Sequence, residues 1–327
     1  MGRPLLIGVT PSPGESFSSV LLRTAEANGL PGPGLVLRTA GIASTFPRLQ
    51  SEISALATVC RLNVDLVRAL LPLERGPGAQ GLARKHHYQY YGATVGMEHL
   101  LVGRSERVCP RCIRGSGYLP AVHAFTLVTA CPFHAARLLD HCPRCERAID
   151  MMRPRLHLCQ CGLDLGTVES IAVSDDEMRV ISLVCRRWQL SFMRDIPPRC
   201  PNVPDELNDL DLNDLLRVIS FLCRLNEESH RTWRAVTQSK RIRAVSWRVE
   251  QVGRLLRIWP HGFEDLIRRV RTPVIGGFAH GGAGGVGRTS ISLFSELPEP
   301  KFAFIHRVLV SSMQQGNAGI RLAFAEA

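Results

Sequence analysis

Seven of the chain's eleven cysteines fall within residues 109–161, and with His134 they make four pairs. Cys109-Pro110-Arg111-Cys112 is followed by Cys131-Pro132-Phe133-His134, then Cys142-Pro143-Arg144-Cys145, then Cys159-Gln160-Cys161-Gly162. A tight turn after the first ligand lets two nearby side chains point into one tetrahedron, while neighbouring amides hydrogen-bond the thiolate sulfurs; zinc favours that arrangement. Pairs this close in sequence are poor disulfide candidates in a reducing compartment. Taken in order, one site is Cys109, Cys112, Cys131 and His134, and the second Cys142, Cys145, Cys159 and Cys161. Each closed four-ligand shell leaves no position for water, which points to two structural zinc ions rather than a hydrolytic one. An interleaved order stays open, as do ligand swaps with His123, His141 or His157, because Cys159-x-Cys161 is shorter than the usual gap. Cys60, Cys185, Cys200 and Cys223 lack ligand spacing and read as buried thiols.

The 327 residues are 45% hydrophobic and 21% charged, which excludes disorder throughout, collagen-like repeats and coiled coil. No apolar run approaches the roughly 18–20 residues of a membrane span, and the first thirty residues lack a basic start with an apolar signal core. A cytoplasmic protein without membrane contact is expected.

The net charge is +11, and lysine occurs only at Lys85, Lys240 and Lys301, so the excess is carried by arginine. Residues 203–229 hold two arginines against seven acids, whereas residues 230–271 hold eleven basic residues against three. An acidic block followed by a basic one is expected of a region with one face toward phosphate and another toward protein.

The apolar spacing of Phe17, Val20, Leu21 and Ala25 predicts a helix from near Glu15 to Asn28-Gly29. Residues 49–71 read as a further helical run stopped by Pro72, and Leu210 to Leu225 as an amphipathic helix with acids near its start. Over 241–259, Ile242, Val245, Val249, Val252, Leu256 and Trp259 make an apolar stripe from which Arg241, Arg243, Arg248, Arg254 and Arg257 fall away. Such a helix can lie along DNA, though core packing alone also explains the stripe, and these arginines are its candidate nucleic-acid or partner contacts.

The zinc array with its Cys-Pro-x-His pair, the opening Glu15-Ser16-Phe17-Ser18-Ser19-Val20-Leu21-Leu22-Arg23, and Trp259-Pro260-His261-Gly262-Phe263 together resemble the TniQ family, which includes TnsD, over most of the chain. The resemblance implies a non-catalytic transposition protein, a target-site selection adaptor that links target DNA, directly or through an RNA-guided CRISPR Cascade complex, to an AAA+ ATPase regulator. A homodimer is left open. The family's zinc ligands carry over onto the eight residues named above. Val20 stands where the family often has Trp, and a further family Trp is missing at His123 to Phe125, so the subfamily is open. The length is closer to the short TniQ type than to TnsD.

Two other signals carry less. Gly282-Ala283-Gly284-Gly285-Val286-Gly287-Arg288-Thr289 nearly spells a phosphate-binding loop, but Arg288 replaces the lysine and no acidic strand follows, so a flexible linker is expected. Lys85-His86-His87-Tyr88 with Tyr90 and Tyr91 suits base stacking, the flank of a partner groove or the edge of a partly buried helix. No nucleophile, base and acid arrangement stands out, so no enzyme is expected.

The architecture expected is mainly α with a small-β double zinc-ribbon or knuckle insertion. Its segments are a helical 1–108, open to a helix-turn-helix reading, a double zinc module at 109–166, a basic helical part at 167–271, a glycine-rich linker at 272–295 and a helical 296–327. A zinc-containing DNA-binding transcription regulator is the competing reading.

Overall fold

The computed structural model describes residues 3–75, 87–101, 103–192, 199–200, 203–225, 242–271 and 296–312. The fold is mostly helical, with two small antiparallel sheets.

Helix α1 (Phe17–Ala27) starts where the Ser16 hydroxyl accepts the Ser19 amide at 3.2 Å, and it ends at Asn28, whose side-chain amide returns to the Thr24 carbonyl. Those caps satisfy backbone groups the helix leaves open. Its apolar face, Phe17, Val20, Leu21 and Ala25, is buried as the spacing predicted. Helix α2 (Pro33–Thr39) follows with proline in its first turn.

The helical run expected over 49–71 is instead two helices, α3 (Gln50–Cys60) and α4 (Val64–Leu70). Arg61 adopts a left-handed conformation at φ 56°, and Asn63 accepts the Asp65 amide at 2.7 Å, so a stop and a new start sit inside one apolar pattern.

The expectation of a helical 1–108 is also corrected by a three-stranded sheet. Strands β1 (Leu73–Arg75), β2 (His87–Tyr90) and β3 (Ala93–Gly96) pair antiparallel in that order, with Tyr88 opposite Val95 and Tyr90 opposite Ala93. Tyr88 and Tyr90 therefore belong to a strand, not a helix edge; Lys85 and His86 lie outside the described residues. The β2–β3 turn is Tyr91-Gly92 with φ of 49° and 78°, the positive pair a two-residue hairpin favours. A side chain on Gly92 would strike the Ser191 carbonyl.

After the cysteine-bearing segment, with α5 (Pro110–Gly115) and the pair β4 (Ala130–Cys131) and β5 (Ala136–Arg137), come α6 (Asp175–Gln189), α7 (Asp205–Asp209), α8 (Leu212–Leu225), α9 (Ile242–Arg257) and α10 (His261–Arg271). A further helix covers 303–312. The expected strands beside the knuckles are thus β4 and β5.

One cluster of buried side chains runs from Phe17 through Trp188 and Phe221 to Leu309, so the N-terminal, basic helical and C-terminal segments share a core. Tyr91, Trp188 and Phe192 meet with ring centroids 4.6–5.6 Å apart, joining the hairpin turn to α6. Helices α6 and α9 cross at Gly253, where an added Cβ would overlap the Asp176 carbonyl. No described helix is long and apolar enough to cross a membrane. The glycine-rich 272–295 lies outside the described residues.

Candidate metal centres

The first two cysteines sit at the head of α5. Cys109 precedes Pro110, which opens the helix, and the Cys112 amide points back to the Cys109 sulfur. The second pair closes β4: the Phe133 amide faces the Cys131 sulfur, and the chain turns through Ala135 at φ 47°, whose amide donates to the Cys131 carbonyl at 2.9 Å.

The third pair repeats that turn. Glu146, at φ 56°, donates its amide to the Cys142 carbonyl at 2.8 Å. The fourth is the same device one residue shorter: Gly162, at φ 82°, donates to the Cys159 carbonyl at 2.9 Å, while the Cys161 amide faces the Cys159 sulfur and the Leu163 amide the Cys161 sulfur. The short Cys159-x-Cys161 spacing is absorbed by glycine in a conformation other residues adopt at a cost.

These turns gather the eight residues into two sets, Cys109, Cys112, Cys131 with His134, and Cys142, Cys145, Cys159 with Cys161. Within each, the ligand atoms lie within 4.8 Å of one another. His134 Nδ1 is 3.6, 3.3 and 3.4 Å from the sulfurs of Cys109, Cys112 and Cys131, and Cys112 and Cys131 are 3.5 Å apart. In the second set, Cys142 and Cys161 are 3.6 Å apart and Cys145 and Cys159 3.8 Å. Zinc–sulfur bonds of ~2.3 Å in a tetrahedron put sulfurs about 3.8 Å apart. The spacing therefore fits a shared ion, and no disulfide links any of these cysteines. The sets follow chain order, and His123, His141 and His157 join neither.

Hydrogen bonds from Cys112 and Cys131 hold the Cys109 thiol far below its ordinary range, and the same contacts push Cys112 and Cys131 up. The Leu163 amide lowers exposed Cys161 to about 7. By contrast, burial raises Cys60, Cys185 and Cys223 to about 12, in keeping with inert thiols.

The two sets differ in setting. Cys109, Cys112 and Cys131 lie in the main core, whereas Cys142 and Cys159 pack in a second cluster with Val108, Ile113, Ile149, Leu156 and Leu22 of α1. Val122, Phe125, Val128, Leu138 and Met151 of the same segment are all buried.

The opening motif clasps this region to α1. Buried Glu15 accepts the Ser12 amide, the Ser19 hydroxyl and the Arg23 guanidinium at 2.9, 2.7 and 2.5 Å. The Ser19 oxygen accepts the Leu119 amide at 3.0 Å, and the Ser16 amide donates to the Leu119 carbonyl at 2.7 Å. Ser18 donates to Glu106, which also pairs with buried Arg153. Arg107, two residues before Cys109, donates to the carbonyls of Thr126 and Val128 at 2.9 and 2.8 Å, and burial lowers its pKa to about 10. Sequence reasoning did not assign Arg107 or Glu106; only their adjacency to the first ligand hinted at them.

The arginines expected to face DNA divide. Arg243, Arg254 and Arg257 are exposed on α9, Arg241 lies outside the described residues, and Arg248 is corrected to a buried side chain at 5% exposure, desolvated enough to lower its pKa. Helix α9 packs against both α6 and α8, so its buried arc is wider than the apolar stripe. The acidic block is partly taken up internally: Asp205 and Asp209 pair with Arg199 at 2.6 and 2.8 Å, and Asp211 with Lys301 at 2.7 Å.

Residues 6–138 match the TniQ family model. The matched stretch holds the α1 clasp and the whole first set; the second set and Trp259 to Phe263 lie beyond it. It is a shorter span than the motifs suggested. TniQ is a transposition family, so the match marks the chain as transposition-associated. No curated protein matches the chain.

Proposed function

We propose that this chain is a non-catalytic transposition protein of TniQ type that selects the insertion site, linking target DNA, directly or through an RNA-guided Cascade complex, to an AAA+ regulator. The observation that carries the reading is the TniQ match over residues 6–138, which encloses one complete four-ligand set and the clasp around it.

In this reading Cys109, Cys112, Cys131 and His134 hold one zinc ion and Cys142, Cys145, Cys159 and Cys161 a second. Each ion supplies a closed cross-link and no open coordination site. The chain's own side chains do the rest. Glu15, Ser16 and Ser19 fix α1 to residues 119–121, and Arg107 holds the turn that leads into the second ligand pair. Arg243, Arg254 and Arg257 offer an exposed cationic edge for phosphate.

The test is insertion in cells carrying the transposase and AAA+ ATPase, with and without this chain, beside capture of the ATPase on the tagged protein. Loss of targeted insertion together with capture of the ATPase is expected. Unchanged insertion with no capture contradicts the proposal, and tight promoter binding by the isolated chain would make it a transcription regulator instead.

A further inference from the structure

Helix α9 carries a second stripe, opposite its buried one. At 3.6 residues per turn, Arg243, Trp247, Gln251, Arg254 and Ile258 fall within about 80° of one another. Trp247 sits at the centre and is 53% exposed, whereas Trp188 is fully buried. Arg254 and Arg257 are more than half exposed and Arg243 is exposed as well. The carboxylates beside them are sunk: Asp176, 3.8 Å from Arg254 and 3.4 Å from Arg257, is 11% exposed, and Glu250, 2.7 Å from Arg254, 24%. An approaching anion therefore meets guanidinium edges first. The two exposed apolar side chains, Trp247 and Ile258, lie three turns apart and form no continuous apolar patch, which favours a polyanion over a protein groove.

We infer that this face binds single-stranded or locally unpaired DNA, with Trp247 stacking on an unpaired base and Arg243 and Arg254 on the flanking phosphates. This rests on the DNA-contact reading above and adds to it the form of DNA recognised and the residue that recognises it. Aromatic stacking tolerates any sequence, because every base has a π-face, and arginines alongside supply the salt-dependent part of the affinity. The close crossing of α9 over α6 at Gly253 holds the helix so that Trp247 points away from the core.

The experiment measures binding of the full, metal-loaded chain to a single-stranded oligonucleotide, the matching duplex, and that duplex with a central unpaired bubble, by fluorescence anisotropy across a salt series. The wild-type chain is expected to prefer the single strand and the bubble. Trp247→Ala should weaken those two by about fivefold or more with an unchanged salt slope, and Trp247→Phe should keep most of the preference. Arg243→Gln with Arg254→Gln should flatten the slope by about 1.5–2 on every substrate. Equal binding to all three DNAs that Trp247→Ala leaves untouched overturns the stacking role, while slopes that still respond to the arginines keep the DNA-contact reading. No binding by the wild-type chain removes both. Loss of ATPase capture in Trp247→Ala with DNA binding intact overturns the inference and makes the face a protein-docking surface.

Discussion

Asp140, two residues before Cys142, accepts the backbone N–H of Ile242 at 2.8 Å across 102 residues of chain. Ile242 is the first residue of α9, and its amide is one of those a helix cannot satisfy internally. The cap of the Arg243–Trp247 helix is thus supplied by the bend that leads into the second metal set. Asp140→Ala should cost about 1 kcal/mol, while Asp140→Asn, which keeps an acceptor, should cost less. Thermal unfolding of both variants, with metal content checked as unchanged, measures this; an alanine variant as stable as the parent would show that the cap is idle.

Glu177 ties the first set to α6. Its carboxylate accepts the Thr129 hydroxyl at 2.5 Å and pairs with Arg137 at 2.9 Å, bracketing the β4–β5 hairpin. Glu177 is buried but Arg137 is 26% exposed, so the cost of Glu177→Ala belongs near 2 kcal/mol rather than at the upper end for buried pairs. Urea unfolding should show it, together with faster amide exchange across 129–137. Exchange unchanged there would mean that α6 does not brace the hairpin.

Gly253→Ala should separate α6 from α9, because the new Cβ has nowhere to go but into the Asp176 backbone. A loss of at least ~1–3 kcal/mol is expected from overpacking of this kind, with α9 exchanging faster than α1. Wild-type stability in this variant would contradict the close crossing of the two helices.

How much of this was readable from sequence depended on distance along the chain. The α1 boundaries follow from Ser16 and Asn28, and the ligand pairs from spacings of two or three residues, all of them local signals. Sequential pairing of the sets was not readable, since it depends on β4, β5 and the left-handed turns at Ala135, Glu146 and Gly162 bringing distant pairs together. Strands β2 and β3 were hidden because four residues each is too short for a clear alternation, and the aromatic run through Tyr91 matched a helix edge equally well. The break at Arg61 lies inside one apolar pattern, so periodicity passed over it. Arg248 was misplaced because its burial is set by α6 and α8 on two sides of α9.

Cys142→Ser should leave the first set filled and empty the second, lowering zinc from two ions to one per chain. Because Cys142 is fully buried in the cluster with Ile149 and Leu156, exchange should rise over 142–165 while α1 stays protected. Retention of two ions would overturn the ligand assignment, and collapse of α1 protection would show that the two clusters do not unfold separately.

The most direct measurement is native mass spectrometry of the full chain purified under reducing conditions. The account requires a mass above the bare polypeptide by two zinc ions less the protons they displace, and a return to the bare mass on acid denaturation. A native mass equal to the metal-free chain, or one lighter by paired thiols, would contradict it.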